Sequence, residues 1–192
     1  MAEKSELAKI VGSENVLDGP EIMEEYSKDM SFVRPMRPQY VVKPRNMAEV
    51  QSIVKWANET STPLVPVSSG PPHFRGDTVP SFGVGGAVIV DLSRMKQIIR
   101  VDRRNRVVMI EPGVTFGDLI PALEKEDLAP LMTLVPRSSK SVVTSFLERE
   151  PITIPRFHWE AQDPLYCVEV IYGSGDLFRT GSAFGPGTIE EQ

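Results

Sequence analysis

Apolar residues near the start of the sequence recur with the spacing of short amphipathic helices. Leu7, Ile10 and Val11 share one face of a helix predicted over residues 5–12. A second helix is predicted over residues 20–28, where one face consists of Ile22, Met23 and Tyr26. Because each helix has a single apolar face, we expect both to cover a sheet.

A strand, a helix and a second strand are predicted to follow. Residues 40–42 are an apolar run typical of a strand, and Asn46 with Glu49 three positions later is close to a capping box. The helix is predicted over residues 47–60, with an apolar face made of Val50, Ile53, Val54 and Ala57. Residues 64–67 then fit a buried strand, which completes a minimal parallel crossover.

The second half of the sequence predicts antiparallel pairing. Residues 98–101 and 106–110, which are apolar except for Arg100 and Arg106, flank a short polar turn, which is typical of a hairpin. A second hairpin is predicted from residues 164–172 and 176–180, which a Gly-Ser-Gly sequence joins at 173–175.

Two further elements are predicted near the first hairpin. Residues 87–90 form an apolar strand closed by Asp91. The corner at residues 111–114 leads into a helix that begins with the capping pair Thr115 and Asp118. One face of this helix is made of Leu119, Ile120 and Leu123.

Composition and charge narrow the class of protein. With 41% hydrophobic and 24% charged residues, the 192-residue chain can form one sizeable core or two small lobes. Its 17 prolines and 14 glycines predict a loop-rich α/β or α+β domain. A net charge of −5 argues against nucleic acid as the main partner. We therefore interpret the arginines of the first hairpin as a solvated turn: Arg100, Arg103, Arg104 and Arg106.

The single cysteine and the hydropathy pattern exclude several further classes. Cys167 has no partner for an intrachain disulfide or a thiolate zinc cluster, and we expect it to be a buried small hydrophobe. No run approaches ~18 apolar residues, and the polar start carries no signal peptide. We expect a soluble, cytoplasmic protein with no membrane span. No hydrolase, zinc, P-loop or GxGxxG motif is present, and no metal site is predicted.

Residues 68–77, which follow the second strand of the crossover, are small and turn-forming. Their backbone N–H groups can form a cradle for an anion, with hydroxyl donors from Ser68 and Ser69 and a charge from Arg75. Gly70 lets the backbone approach a ligand closely, and phosphate or pyrophosphate is the natural ligand. An ordinary connecting loop has the same composition, so both interpretations stay open at this point.

Six segments in the same order resemble a known family of cofactor domains. These segments are residues 38–44, 49–58, 63–70, 88–95, 101–102 and 111–114. Together they resemble the PCMH-type FAD-binding domain shared by vanillyl-alcohol oxidase, p-cresol methylhydroxylase, the FAD-linked subunit of glycolate oxidase, and D-lactate dehydrogenases. The resemblance extends over residues 5–182.

The resemblance implies an α+β fold, as a two-lobed PCMH-type FAD-binding domain. A small βαβ lobe would span about 30–95, followed by a mainly antiparallel sheet lobe with flanking helices at about 96–183. Residues 184–192 would be a tail or a truncated linker. In the family a substrate or cap domain follows, so we expect this chain to be a fragment or one subunit of a complex.

The implied function is that of an FAD-binding domain in a flavin-dependent oxidoreductase. Hydride from a hydroxy acid, alcohol or phenol would pass to FAD, which this domain binds and orients. Substrate would be held by a missing C-terminal domain or a partner subunit, in a homo- or hetero-oligomer, so the chain alone is expected to turn over no substrate. A non-catalytic interaction or regulatory domain without flavin remains the alternative.

The resemblance also implies which residues contact FAD. The pyrophosphate would lie against Pro66, Val67, Ser68, Ser69, Gly70, Pro71, Pro72, His73, Arg75, Gly76 and Asp77. The adenosine half would lie near the main chain of Pro112, Gly113, Val114, Val168 and Val170. Separately from the resemblance, a polar segment that includes Pro136, Ser138, Ser139 and Ser141, with Arg137 and Lys140 beside them, is able to hold phosphate oxygens or the flavin pyrimidine.

The sequence departs from the family over residues 128–160. Members place a Gly-rich segment here, whereas bulky residues at 152–160 would fill or reshape the flavin-ring site. His158 is either a base near the flavin or part of an aromatic cluster, and no catalytic residue is predicted. Some relatives attach flavin covalently through a Ser-Gly-Gly-His stretch. Here the stretch from Ser69 to His73 has one extra residue and prolines for glycines, so we expect non-covalent attachment.

Overall fold

The computed structural model describes residues 2–81, 83–134, 137–152 and 164–181. Two compact units make up the chain. The first unit consists of Met1–Arg94 and Ile171–Leu177, and the second consists of Met95–Val170 and Phe178–Gln192. His158, Pro136 and the predicted tail lie outside the described residues.

In the part that the structure describes, the first unit contains three helices and a four-stranded sheet. Its helices are α1 at Ala2–Val11, α2 at Pro20–Glu25 and α3 at Met47–Thr60, with short 3-10 turns at Ser13–Asn15 and Leu92–Arg94. Its strands are β1 at Val16–Leu17, β2 at Tyr40–Val42, β3 at Leu64–Val67 and β4 at Val88–Asp91. The predicted elements are present, α1 and α2 begin or end up to three residues from their predicted bounds, and β1 was not predicted.

The sheet has the strand order β1-β2-β4-β3. Strand β4 pairs in parallel with both β2 and β3, whereas β1 pairs antiparallel with β2. The predicted minimal crossover is therefore wider than expected, because β4 lies between the two strands that α3 connects. Strand β4 is buried on both faces, which is typical of the central strand of a parallel sheet.

Alternate residues of the sheet contribute to two hydrophobic clusters. On one face, Val88 and Val90 pack with residues of α1 and α3, among them Leu7, Ile53 and Trp56. The other cluster contains Ile89 together with Val41, Val67, Met23 of α2, and Tyr26 immediately after α2. The alternation follows from the two-residue period of a strand. The predicted apolar faces of α1 and α2 therefore do cover the sheet.

Strand β3 differs from the buried strand that its apolar sequence predicts. Only Val67 is buried, and Pro66 is exposed. Among the described strands, β3 is at an edge of the sheet. Proline is tolerated at an edge because a backbone N–H there can face solvent and is not needed for pairing between strands.

Asp91 ends β4 as a buried carboxylate with three partners. Its side chain is 1% exposed. The Tyr26 hydroxyl donates to Asp91 Oδ2 at 2.7 Å, Lys43 Nζ lies 3.1 Å from the same oxygen, and the Ser93 N–H donates to Oδ1 at 2.9 Å. Burial opposes ionisation, but the hydrogen bonds from Ser93 and Tyr26 and the charge of Lys43 outweigh burial and lower the pKa of Asp91.

Helix α3 begins at the predicted cap but with a different reciprocal bond. Asn46 Oδ1 accepts the Glu49 N–H at 2.9 Å, as predicted. The Glu49 carboxylate accepts the N–H of Arg45 at 2.8 Å, rather than the N–H of Asn46 that a capping box requires. The helix start is still capped from both sides.

Among the described residues, the second unit contains two helices and one complete antiparallel hairpin. Strands β5 at Ile98–Asp102 and β6 at Val107–Ile110 pair as predicted. Helix α4 spans Phe116–Glu124 and helix α5 spans Val142–Leu147. Strands β7 at Glu169–Ile171 and β8 at Leu177–Arg179 form a second hairpin, of which Ile171–Leu177 belongs to the first unit. Both strands are shorter than predicted.

Helix α4 supplies most of the core of the second unit. Thr115 and Asp118 form the full predicted capping box, with each side chain accepting the other's backbone N–H. Leu119 and Leu123 are buried, and the core also contains Val114, Phe116 and Val142. Phe116 meets Phe146 edge to face with ring centroids 6.3 Å apart.

Cys167 is half-buried rather than fully buried, so its predicted role as a core hydrophobe is wrong in degree. The segment around it is not strand, because β7 begins only at Glu169. The strand is therefore shorter, and its residues less buried, than the apolar run at 164–168 predicted.

Removal of the Tyr26 hydroxyl tests the buried network around Asp91. We expect Tyr26→Phe to lower the free energy of unfolding by about 1.5–3 kcal/mol, because a hydrogen bond to a buried carboxylate is lost. Chemical denaturation at neutral pH would measure this. Tyr40→Phe is the matched control, because the Tyr40 hydroxyl bonds to none of the described residues. A change equal to that of the control would contradict the prediction.

The same network predicts a pH dependence with a definite sign. Since the folded-state pKa of Asp91 lies below its ordinary value of 3.8, its stabilisation is complete at neutral pH and is lost as the pH falls through the acid range. In Tyr26→Phe the folded-state pKa rises toward the ordinary value. Acid unfolding of this variant should therefore begin at a higher pH than in the parent protein.

Candidate functional site

The loop 68–77 leaves the sheet at the carboxyl end of β3. Strands β2, β3 and β4 are parallel, so their carboxyl ends lie at one edge of the sheet. This is the edge at which parallel α/β sheets place their ligands. The loop that the sequence singled out therefore begins where a binding site is expected.

The first turn of this loop offers donors and space. Ser69 and Gly70 are half-buried, and among the described residues neither backbone N–H donates a hydrogen bond to the protein. A Cβ built on Gly70 meets no atom within 4 Å. Two successive N–H groups beside open space are what a phosphate oxygen requires.

The far end of the loop is held by Asp29, which the sequence prediction missed. Asp29 Oδ2 accepts the N–H of Gly76, and Oδ1 accepts the Ser31 N–H at 2.9 Å and the Ser31 hydroxyl at 2.5 Å. A backbone bond from Met30 N to His73 O, 2.8 Å long, adds a second tie. The loop is therefore fastened to residues 29–31.

The electrostatics of this contact favour the charged form of Asp29. Burial raises the pKa of the carboxyl, but the hydrogen bonds from Ser31 and Gly76 outweigh burial, and the pKa is lowered overall. An ionised carboxylate accepts N–H groups more strongly than a neutral acid does. The contact is therefore strongest above the acid range.

Gly76 is required at its position by its conformation and by its surroundings. Its φ of +77° is one that L side chains rarely adopt. A Cβ at this position would overlap the side chain of Val33. The remaining predicted contacts of the loop lie close by in the chain: Pro71, Pro72, Arg75 and Asp77 are exposed, and His73 is half-buried.

The predicted corner at 112–114 has its main-chain groups engaged within the second unit. The Gly113 N–H donates to Met95 O at 2.8 Å, and Val114 O accepts the Val142 N–H at 3.0 Å. The carbonyl of Pro112 accepts the Ser141 hydroxyl at 2.6 Å. The corner is therefore held by hydrogen bonds to Met95 and to the start of α5.

The hydroxyl of Ser141 has two hydrogen-bond partners among the described residues. Besides donating to Pro112, its buried Oγ accepts the Thr144 N–H at 3.2 Å as the N-cap of α5. Ser138 and Ser139 are exposed, and the Ser138 carbonyl accepts the Gly117 N–H at 2.8 Å. The structure thus separates two exposed serines from one that has a capping role.

Lys140 is buried against two carboxylates. Its Nζ, in a side chain only 8% exposed, lies 2.6 Å from Glu150 Oε1 and also pairs with Glu148. Lys140 was predicted to help bind phosphate. In the structure it instead forms salt bridges with two glutamates that follow α5.

Val168 and Val170 lie at the base of the second hairpin. Val168 exchanges two bonds with Thr180: its N–H donates to Thr180 Oγ1 at 3.0 Å, and its carbonyl accepts the Thr180 N–H at 3.0 Å. Both main-chain groups predicted to face a nucleotide therefore have protein partners. Val170 is a residue of β7 and is partly buried.

Asp29 is the one site residue that a closer look at the sequence could have raised. Asp29-Met30-Ser31 has the spacing of an Asx turn, in which the carboxylate accepts the N–H two residues on. That pattern predicts a turn, whereas the bond to Gly76 joins residues 47 positions apart and has no local signal.

The described residues contain neither a candidate membrane span nor a candidate metal site. No helix in this part of the chain combines the length and apolar character needed to cross a membrane. The same part of the chain contains no group of three or more His, Cys, Asp or Glu side chains placed to hold a metal ion.

Comparisons with known proteins agree on one family. A family model described as FAD binding domain matches residues 38–145. The 4-cresol dehydrogenase [hydroxylating] flavoprotein subunit of Pseudomonas putida is 28% identical over 183 residues, 93% of this chain and 34% of that protein. Glycolate oxidase subunit GlcD of Bacillus subtilis is 29% identical over 180 residues, 93% of this chain and 37% of that protein.

The fold is similar to that of a solved flavoprotein. A crystal structure of p-cresol methylhydroxylase with substrate bound matches with a TM-score of 0.80 and 26% identity, covering 97% of this chain and 36% of that one. The match confirms the α+β fold class that the sequence predicted. This chain spans about a third of the length of these relatives.

A conservative change at Asp29 tests whether it holds the loop. We expect Asp29→Asn to accelerate hydrogen exchange at the Gly76 amide about fivefold, because a charge-assisted bond becomes a neutral one. Exchange would be followed by NMR. Asp18→Asn, at a surface carboxylate paired with Lys4, is the control and should leave the Gly76 amide unchanged.

Acidification should release the same contact. Because the pKa of Asp29 is lowered in the folded protein, the bond to Gly76 is present at neutral pH and is lost only as the pH falls below the ordinary value of 3.8. The Gly76 amide shift should titrate in that range. A flat titration, or an equal effect of both substitutions, would show that Asp29 does not hold the loop.

Proposed function

Because the chain belongs to the family of FAD binding domains whose model matches residues 38–145, we propose that it binds FAD and holds the pyrophosphate at loop 68–77. The observation that carries the proposal is the first turn of the loop. There, two N–H groups without partners among the described residues lie beside the open space at Gly70. Backbone donors of this kind bind phosphate oxygens without a dedicated charge.

The loop is suited to an anion in a second way, through its fixed shape. The bond from Gly76 to Asp29 and the bond from Met30 to His73 hold it in place before any ligand arrives. A preorganised site loses less conformational entropy on binding than a mobile one does. Ser68 and Ser69 lie next to Gly70 and can add hydroxyl donors.

Bound FAD would supply the redox chemistry as a hydride acceptor. The residues of this chain would bind and orient the cofactor. We propose that the substrate is a hydroxy acid, an alcohol or a phenol, because the relatives include a flavoprotein subunit of 4-cresol dehydrogenase and a subunit of glycolate oxidase. No residue of this chain is assigned a catalytic role.

The other predicted contacts divide into two groups. Ser138 and Ser139 are exposed and stay in the proposal as polar contacts to FAD. Pro112, Gly113 and Val114 stay as main-chain contacts that need only the shape of the corner.

Ser141 and Val168 act differently in our proposal. The hydroxyl of Ser141 and the main chain of Val168 have protein partners, so we assign them to the support of the neighbouring contacts rather than to direct hydrogen bonds. Val170 and Pro136 remain predicted contacts.

Substrate positioning is proposed to come from beyond the residues described here. The relatives extend over roughly three times the aligned length, and oxidation requires the carbon–hydrogen bond to be held against the flavin with water excluded. We therefore propose that a further domain or a partner protein supplies that surface. The Pseudomonas relative is named as a flavoprotein subunit, which implies such a division for that protein.

Substitution at Gly70 tests the pyrophosphate site. We expect Gly70→Val to weaken FAD binding at least about tenfold, because the added side chain occupies the space needed for close approach, whereas the open surroundings of Gly70 leave the fold intact. Gly85→Val is the matched control, because Gly85 also has nothing within 4 Å of its Cβ position. Affinity would be measured by quenching of flavin fluorescence.

Three outcomes of this titration are informative. Equal FAD affinity in the Gly70 variant and the parent would show that the pyrophosphate lies elsewhere. Equal losses in the two variants would show that the effect is not specific to Gly70. A correctly folded parent that takes up no FAD would favour the non-catalytic domain in place of an oxidoreductase.

The mode of attachment is a separate prediction. We propose that FAD is bound non-covalently, because prolines replace the glycines that precede the attachment histidine in the resembled family. Acid precipitation of the loaded protein should leave the flavin in the supernatant. Flavin retained in the pellet, with an added mass mapped to His73, would contradict this.

A further inference from the structure

The tip of the β5–β6 hairpin carries a concentration of positive charge in an acidic chain. Four arginines and one aspartate give residues 98–110 a net charge of +3, so a chain of net charge −5 carries −8 elsewhere. Such an uneven distribution orients a charged partner during its approach.

Three of these arginines form no salt bridge with a described residue. Arg100, Arg104 and Arg106 are exposed, and no ion pair within the described part of the chain involves them. Arg103 differs, because it lies 3.7 Å from Glu126 and 3.8 Å from Asp127. Asp102 accepts hydrogen bonds from Asn105 and so serves the turn. The three guanidinium groups are therefore without a salt-bridge partner among the described residues. Hydrogen bonds from Asn105 lower the pKa of Asp102, and the charge of Arg100 helps to lower it.

Arg106 occupies a backbone conformation that does not favour arginine. Its φ is +53°, in the left-handed region that glycine and asparagine adopt with less strain. The turn 103–106 would therefore form more readily with glycine at its last position. Ser61, Asp127 and Arg149 share this conformation, so the left-handed φ shows that glycine would be less strained here and does not by itself assign a function to the side chain.

The outer face of the hairpin adds an apolar surface beside the charges. Val101, Val108 and Ile110 pack on the core of the second unit, so alternation places Arg100, Val107 and Met109 on the opposite face. Arg100 lies directly across from Met109, and Val107 and Met109 are only partly buried. Methionine and arginine are residue types enriched at protein interfaces.

We propose that this surface, made of Arg100, Arg104, Arg106, Val107 and Met109, docks an acidic patch of a second protein. Charge complementarity selects an anionic partner, and the apolar residues favour a protein, which can bury them. A nucleic acid or an anionic membrane is an extended polyanion that would also meet the acidic remainder of the chain. The proposal does not depend on FAD binding.

The test uses two fluorescein-labelled probes, a decaglutamate peptide and a single-stranded decathymidylate. The first variant replaces the three unpaired arginines together, Arg100→Gln, Arg104→Gln and Arg106→Gln. The matched control removes three exposed cations elsewhere, through Lys9→Gln, Arg37→Gln and Lys125→Gln. Circular dichroism confirms folding, FAD content is recorded for each protein, and anisotropy measures binding at low and physiological salt.

We expect the parent and the control to bind decaglutamate with similar affinity, which falls as salt is raised, and the tip variant to bind at least about tenfold more weakly. Equal binding by tip variant and control would overturn the proposal. No binding by the parent at low salt would overturn it as well. Tighter binding of decathymidylate than of decaglutamate would replace the acidic protein with a nucleic acid.

A single substitution separates charge from structure at the turn. We expect Arg106→Gly to raise the Tm, because glycine relieves the left-handed strain, and also to weaken decaglutamate binding about threefold. A merely structural role would move stability and binding in the same direction. Unchanged binding in a stabilised Arg106→Gly variant would show that this guanidinium takes no part in docking.

Discussion

The first unit depends on one buried carboxylate. Asp91 ends the central strand β4 and joins it to α2 through Tyr26, to the end of β2 through Lys43, and to the following turn through Ser93. A buried charge is tolerated only when its hydrogen bonds are all made, so these elements must take up their positions together. The carboxyl edge of the sheet, from which loop 68–77 leaves, is organised by this requirement.

A second carboxylate, that of Asp29, holds the loop of the candidate site in place. Asp29 and Gly76 are far apart in sequence, and their bond transfers the rigidity of a short local turn to the loop proposed to hold the pyrophosphate. Of the other polar residues predicted to contact FAD, some are exposed and others form hydrogen bonds or salt bridges within the protein. Ser141 caps α5, and Lys140 is paired with two glutamates. These two residues therefore stabilise the fold, and the proposed contacts to FAD come from other residues.

The β5–β6 hairpin differs from the candidate site because its arginines are exposed to solvent. Its arginines are not needed for the core, and one of them occupies a conformation that costs stability. The proposed cofactor site and the proposed docking surface therefore have different causes in the structure. The first rests on backbone N–H groups beside open space, and the second on side-chain charge presented to solvent.

Local physics made much of the fold predictable from the sequence. The cap at Asn46, the capping box at Thr115 and Asp118, and the bounds of α3 and β3 all follow from interactions within four residues or from strand periodicity. The open turn at Gly70 was likewise suggested by small residues after a strand. For the same reason the ordered segments sufficed to indicate the family.

Only the tertiary structure decided which distant residues meet. It placed β4 between β2 and β3, left Pro66 at an edge, joined Asp29 to Gly76 and turned Lys140 toward Glu148 and Glu150. Strand order and long-range pairing depend on how whole faces pack, and an apolar run has the same composition at the edge of a sheet as at its centre. The sequence therefore determined most of the helices and strands and the type of cofactor domain, whereas packing determined which polar groups remain available to a ligand.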